Sequence, residues 1–293
     1  MNIGIIGNGF VGRATSLFGC RDDYADYEDV SFRIYDIDES KRIPSDLRME
    51  DMGGCDLVFI CVPTPMNDDG SCSTGIVESV ISELKSMVPE AQKGGDCAPI
   101  IVRSTVPAGF CRSHGVSFMP EFLTEANWEN DFKTCKNWVV GLNNPQDKSI
   151  KKVIRKLFLI SKRNGRIDSA TVNFVPTESA ELSKLVRNSF LATKVSFFNE
   201  VSEMCERLGV DYDSVKEMAC LDERIGLSHA AVPGPDGKRG FGGTCFPKDA
   251  SSLHCQMQDL GMESYILEAA IARNVQVDRK EQDWRKDKGR AVV

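Results

Sequence analysis

The residues best suited to chemistry lie late in the chain, in Gly240-Phe241-Gly242-Gly243-Thr244-Cys245-Phe246-Pro247-Lys248-Asp249. A glycine-rich loop here delivers a cysteine just ahead of a proline, and proline is favoured in the first turn of a helix. The spacing predicts that Cys245 sits at a helix N-terminus with Lys248 beside it. A partial positive charge and a cation both favour the thiolate, the form in which cysteine is a nucleophile. The other ten cysteines are scattered singly and are read as structural thiols. Lys184 and Asn188 are four residues apart in a helical stretch, so they project from one face. A lysine and an amide so placed can hold a developing alkoxide or a reactive water; they fit a solvated helix flank equally well.

At the other end of the chain, Gly7-Asn8-Gly9-Phe10-Val11-Gly12 follows a strand pattern and opens a helix. In that context the first glycine permits a tight turn, the second lets backbone approach a pyrophosphate, and the third lets helix and strand pack closely. The helix N-terminus presents free N–H groups to the phosphates. Asp36 ends the second strand, where a carboxylate accepts hydrogen bonds from ribose hydroxyls and repels a 2′-phosphate. The expected cofactor is therefore NAD rather than NADP. Parallel sheets bind ligands beyond their carboxyl ends, and three polar clusters fall there: Val62-Pro63-Thr64-Pro65, Ser104-Thr105-Val106-Pro107 and Pro120-Glu121-Phe122-Leu123. Singly, each reads as loop punctuation; together they are expected to form an active-site rim.

The elements that must position these groups alternate in the first ~175 residues, the rhythm of a parallel α/β sheet. Strands are expected at Asn2–Ile6, Ser31–Tyr35, Asp56–Val62, Pro99–Arg103, Val116–Met119, Trp138–Gly141 and Thr171–Val175, and helices at Val11–Cys20, Gly75–Val88 and Gln146–Ser161. The character changes at Pro176. From Glu178 to Leu208 there is neither proline nor glycine, and apolar residues recur at helical spacing, predicting one helix of ~30 residues, roughly 45 Å long. Thr177 is its expected N-cap and Gly209 its stop. Further helices are expected at Asp213–Cys220, Pro247–Leu260 and Ser264–Glu281, interrupted by a loop from Val232 to Gly243 with five glycines and two prolines. The fold class is α/β: a Rossmann-like parallel-sheet domain over residues 1–176, then an all-α domain over 177–293 built on the long helix.

Composition sets the limits. The chain has 293 residues, 41% hydrophobic and 27% charged, with a net charge of −7, ordinary for a globular protein and unfavourable for general binding to nucleic acid or an anionic membrane. Eleven cysteines, with no C-x-x-C pair, and three unclustered histidines argue for reduced thiols in the cytoplasm and against a metal site. The N-terminus opens directly on a strand pattern, so no signal or transit peptide is expected.

The blocks Gly7–Gly12, Val62–Pro65, Ser104–Pro107, Pro120–Glu125, Glu181–Glu200, Asp222–Gly226 and Gly240–Asp249 together resemble the UDP-glucose/GDP-mannose dehydrogenase family. The resemblance implies an N-terminal NAD-binding domain and a helical domain that dimerises through its long helix. It implies that Cys245 is the nucleophile, that Lys184, Asn188 and Asp249 bind water and stabilise the sugar's O6 oxyanion, and that Glu121 serves hydrolysis. Thr105 is implied to lie beside nicotinamide and reacting carbon. Lys41, Glu125 and Lys248 are implied as cofactor contacts, together with Val62, Pro63, Thr64 and Ser104. Phe122, Leu123, Phe241 and Gly242 are implied to grip the substrate, and Arg224 to reach the neighbouring subunit's sugar. The family's third domain, which holds much of the nucleotide, is expected to begin where this chain stops. The implied reaction is a two-step oxidation of a nucleotide sugar, UDP-glucose first, through a thiohemiacetal and a thioester. Two rivals are a one-step hydroxy-acid dehydrogenase, which needs no cysteine, and a non-catalytic NAD-binding subunit that only dimerises.

Overall fold

A computed structural model of the chain describes residues 1–19, 30–87, 98–124 and 127–293. It divides into two compact units, Met1–Thr64 with Thr74–Lys184, and Pro65–Ser73 with Leu185–Val293.

The first unit is a seven-stranded sheet of β1 (Asn2–Ile6), β2 (Ser31–Tyr35), β3 (Leu57–Ile60), β4 (Ile100–Val102), β5 (Ser117–Phe118), β6 (Trp138–Leu142) and β7 (Val172–Pro176), in the order β2-β1-β3-β4-β5-β6-β7. Side chains alternate across it as strand geometry requires. Ile3, Ile5, Leu57, Phe59 and Ile101 enter one apolar layer, while Ile6, Val58, Ile60 and Val102 enter the other. Burial on both faces explains why these strands read as continuous apolar runs. The first layer also holds Phe18, Phe132, Trp138 and Phe158, with Trp138 edge-on to Phe132 at 5.0 Å and to Phe158 at 5.2 Å.

The sheet is parallel except at one seam. β5 meets β6 antiparallel, through Phe118 and Gly141, and β6 and β7 then run parallel to each other. The expected Rossmann-like parallel sheet is thus present, with one antiparallel seam that strand composition alone does not mark. The helices of this unit are α1 (Phe10–Ser16), α2 (Gly75–Ser86), α3 (Phe110–Ser113), α4 (Trp128–Lys133) and α5 (Lys148–Arg163). α1 stops earlier than its expected end at Cys20, which lies outside the described residues, as does Val88 at the expected end of α2. The chain leaves β1 for β2 on one side and returns to β3 on the other. That reversal opens a crevice above the carboxyl ends of β1 and β3, where α/β sheets take their ligands.

α6 (Thr177–Leu208) runs 32 residues, and Gly209 stops it in the left-handed conformation at φ +67°, as a C-terminal glycine does. The second unit adds α7 (Tyr212–Ala219), α8 (Phe246–Asp259) and α9 (Tyr265–Arg273). Its core joins Leu185, Ala192, Phe241, Ala250, Leu253 and Leu267. A smaller cluster buries Trp284 and Ala291 against Met66, whose N–H donates to the Ala291 carbonyl at 2.9 Å and whose carbonyl accepts from Val293 at 3.0 Å. The single helix expected over Ser264–Glu281 is a correction: α9 ends at Arg273 and a π-helical turn follows from Asn274 to Asp278. Among the described residues no helix is long and apolar enough to cross a membrane.

Candidate functional site

In the first unit the glycine loop shows three separate reasons for glycine. Gly7 lies at φ +95°, and a Cβ there would stand 2.6 Å from the Cys61 carbonyl oxygen. At Gly12 a Cβ would be driven into the Gly7 carbonyl. Gly9 differs: its φ is an ordinary −74° and nothing lies within 4 Å of where a Cβ would be. Neither backbone nor packing demands glycine at that position; room for an approaching group does. Phe10 and Val11 are half-buried at the start of α1.

Asp36, at the end of β2, accepts the Asn8 N–H on Oδ2 at 2.7 Å and the Asp38 N–H on Oδ1 at 2.9 Å. The carboxylate is thereby fixed against the glycine loop with lone pairs left over for hydroxyl donors. Loop, carboxylate and open position together fit a dinucleotide. Lys41 is exposed and pairs with Asp38 at 3.0 Å. Glu125 lies outside the described residues.

Beyond β3 and β4, the Ser104 hydroxyl donates to the Val62 carbonyl at 2.6 Å, clasping the two strand ends. Thr64, Ser104 and Thr105 are buried; Val62 is half-buried and Pro63 exposed. Beyond β5, Glu121 is buried and its Oε1 is bound to the Lys184 ammonium, itself buried. Its Oε2 accepts the Leu123 N–H at 3.0 Å. Burial pushes the Glu121 carboxyl up, but the Lys184 charge and hydrogen bond outweigh it and hold the group below its ordinary range. The carboxylate is therefore ionised. Phe122 and Leu123 are half-buried beside it.

In the second unit Cys245 is half-buried and occupies the N-cap of α8, with Pro247 in the first turn. Its carbonyl accepts the Asp249 N–H at 2.8 Å, and its Sγ lies 3.8 Å from the Thr244 hydroxyl. Asp249 is fully buried; Oδ1 is bound to the Lys248 ammonium, and Oδ2 accepts from Asn188 Nδ2 at 2.6 Å. Burial pushes Lys248 down, but Asp249, Cys245 and Cys72 together raise it above the ordinary lysine range, so it stays a cation. No disulfide joins the nine described cysteines. Burial pushes Cys55 up to about 11 and raises Cys61 and Cys111 as well, which makes them inert.

The structure thus gathers Gly7, Gly9, Gly12 and Asp36 at one crevice, joins Glu121 to Lys184, and joins Asn188, Lys248 and Asp249 beside Cys245. Two expected contacts look different in place. The Phe241 side chain belongs to the hydrophobic core, and its backbone N–H and carbonyl are both bonded to the Asn274 side chain. Arg224 is exposed and folded onto Asp222, with Nε 2.9 Å from Oδ1. Sequence reasoning also passed over four residues. Arg103 is fully buried and donates to the Thr15 hydroxyl at 2.7 Å. Glu181 accepts the Gly109 and Cys111 N–H groups, each at 2.7 Å. Asn274 and Arg279 hold the glycine loop that leads to Cys245. The available signal was a polar residue interrupting an apolar run, as Arg103 does after Ile100-Ile101-Val102 and Asn274 does in Ile271-Ala272-Arg273-Asn274-Val275.

Comparison with known proteins agrees with this geometry. The sequence model of the UDP-glucose/GDP-mannose dehydrogenase family, NAD binding domain, matches residues 35–162, and that of the central domain matches residues 178–276. A UDP-glucose 6-dehydrogenase of Rickettsia bellii is 32% identical, over 94% of this chain and 67% of its own length. One from Pseudomonas aeruginosa is 32% identical over 77% of this chain and 49% of its own. The solved structure of a UDP-glucose dehydrogenase from Pyrobaculum islandicum superposes with a TM-score of 0.75 at 25% identity, over 93% of this chain and 67% of that one. The chain spans about two thirds of the length of the first of these relatives. A glycine loop with an open second position, a ribose-ready carboxylate, and these matches across both units lead to one assignment: the chain belongs to the UDP-glucose/GDP-mannose dehydrogenase family, with NAD as its cofactor.

Proposed function

We propose that the chain oxidises the primary 6-hydroxyl of a nucleotide sugar, UDP-glucose before other candidates, to a carboxylate, with Cys245 as the nucleophile. One observation carries the reading. A half-buried thiol caps α8 beside a buried lysine, and that lysine is held by an aspartate which an amide also binds. A helix N-terminus and a cation both favour the thiolate.

NAD, held by the Gly7–Gly12 loop and Asp36, supplies the two-electron acceptor for each oxidation. The chain's own residues do the rest. Lys184 and Asp249 polarise the water through which the 6-hydroxyl loses its proton. The Cys245 thiolate adds to the resulting aldehyde carbon, forming a C–S bond and placing charge on O6. Lys184 and Asn188 stabilise that oxyanion, a preorganised contribution of about 3–4 kcal/mol. Loss of two more electrons leaves a thioester. Water oriented by Glu121 then breaks the C–S bond, giving the acid and returning the thiol; sulfur suits both the attack and the departure. The Glu121–Lys184 pair keeps the carboxylate ionised for that last step. Thr105, Lys248 and the residues at the ends of β3 to β5 would line cofactor and substrate.

The functional division proposed is an NAD-binding domain over 1–176 and a catalytic and dimerisation domain over 177–293. α6 leaves Val186, Phe190, Phe197 and Met204 exposed, and their spacing keeps them on one face. That stripe supports a homodimer, with Arg224 reaching the neighbour's substrate. Nine described cysteines with no disulfide among them support a reducing cytoplasm.

The test is to incubate the protein with NAD and a panel of sugar nucleotides, counting NADH formed per sugar and identifying the product. Two NADH with a uronic acid is the expected result, and Cys245→Ala should lower acid formation by about a thousandfold or more. One NADH per sugar, or an active Cys245→Ala, would discard the mechanism.

A further inference from the structure

The loop that ends in Cys245 is not held by its own glycines. Its anchor is a buried amide more than thirty residues later in sequence. Asn274 is fully buried, and its side chain pairs with one backbone unit as a strand would. Its Oδ1 accepts the Phe241 N–H at 2.8 Å, and its Nδ2 donates to the Phe241 carbonyl at 2.9 Å. One residue earlier, the Gly240 N–H donates to Asn199 Oδ1 at 3.1 Å. The Phe241 ring is sunk in the core with Leu185, Ala192 and Leu253. Gly240 lies at φ +69°, and a Cβ there would collide with Asn274 Oδ1 and stand 3.0 Å from the Asp278 Cβ.

The π-helical turn makes this possible. In an α-helix, positions five apart point about 140° from each other. Here the Arg279 N–H returns to the Asn274 carbonyl at 2.8 Å, an i to i+5 bond that widens the turn and brings the two residues to one side. Arg279 then lies against Gly242, where a Cβ would stand 2.6 Å from Nη2. It is fixed there by Asp236 at 2.6 Å and by Asp283 at 2.7 and 2.8 Å.

We infer that Asn274, presented by this π turn, is a positioning residue for the Cys245 thiol, acting through the Gly240–Gly243 backbone. The inference rests on Cys245 being the reactive group. Removing the amide leaves the buried Phe241 N–H and carbonyl without partners, and the tether between core and thiol slackens.

The experiment compares wild type, Asn274→Ala and Asn274→Asp, the last keeping the acceptor for the Phe241 N–H. Three quantities are read on the full chain: kcat, KM for NAD, and the rate of Cys245 alkylation by iodoacetamide as a function of pH, followed on the Cys245 peptide. Asn274→Ala should lower kcat about tenfold, a part of the cost of the two buried hydrogen bonds it removes. KM for NAD should be unchanged, the alkylation profile should shift, and Asn274→Asp should fall between. A folded Asn274→Ala with the wild-type alkylation profile and kcat overturns the inference; if that variant does not fold, a wild-type profile and kcat in Asn274→Asp overturns it. Should the wild-type chain turn over no sugar nucleotide, the proposed function fails while the alkylation arm still decides this point.

Discussion

Each unit carries a glycine loop and a buried acid–lysine pair, and the two are built in opposite ways. In the first unit the loop is local: Gly7 and Gly12 are required by carbonyls of Cys61 and Gly7, main-chain atoms that cannot move aside. Its ion pair is distant, joining Glu121 to Lys184 across 63 residues. In the second unit the ion pair is local, between neighbours Lys248 and Asp249, while the loop is held by side chains of Asn274 and Arg279. Both loops keep glycine facing open space, Gly9 in the first and Gly237 and Gly243 in the second. The difference teaches where each half is rigid by geometry and where it is rigid by a replaceable side chain.

The most damaging break should be at the distant ion pair. Glu121→Gln leaves Lys184 buried without its carboxylate, a loss of about 3–5 kcal/mol measurable by urea denaturation at neutral pH. The Glu121 carboxyl lies below its ordinary value in the folded chain, so its contribution is fully present above the unfolded glutamate value and is lost as pH falls through the folded one. The gap between wild type and variant should therefore shrink on acidification; a constant gap would mean the pair contributes no ionic stability. Next in size, Gly12→Ala must displace main chain and should cost about 1–3 kcal/mol or more, exceeding Gly242→Ala, where a side chain yields instead. Equal costs in denaturation would erase the distinction between the loops. Smallest in stability is Gly9→Ala, expected to melt with wild type because its backbone is ordinary and its surroundings open. Its NAD affinity, by titration calorimetry, should fall about tenfold, or ~1.4 kcal/mol; unaltered affinity would remove the cofactor from that loop.

The same contrast explains what could be read beforehand. Local patterns were legible: β1 and β2 fall on their expected residues, α6 stops where Gly209 puts it and starts one residue early, with the expected cap Thr177 already inside the helix, and Cys245 stands at a helix N-terminus next to Lys248. Groups that meet across long stretches were not. Nothing in the run Ser264–Glu281 marks an i to i+5 bond, because π and α turns accept the same residues. Nothing in Pro120–Leu123 names Lys184 as the glutamate's partner, since the pairing is made by the fold around it. Strand direction at β6 was hidden for a like reason: β-propensity describes a pleated surface, not the way a chain crosses it.

The two buried indoles have a practical consequence. Trp138 sits in the aromatic layer of the first unit, and Trp284 closes the small cluster over Met66 in the second. Intrinsic fluorescence therefore carries a signal from each half of the chain. Replacing Trp284 with phenylalanine leaves emission from the first unit alone, and replacing Trp138 together with the third tryptophan, Trp128, leaves it from the second, so one denaturant series can tell whether the halves lose their structure together or one after the other.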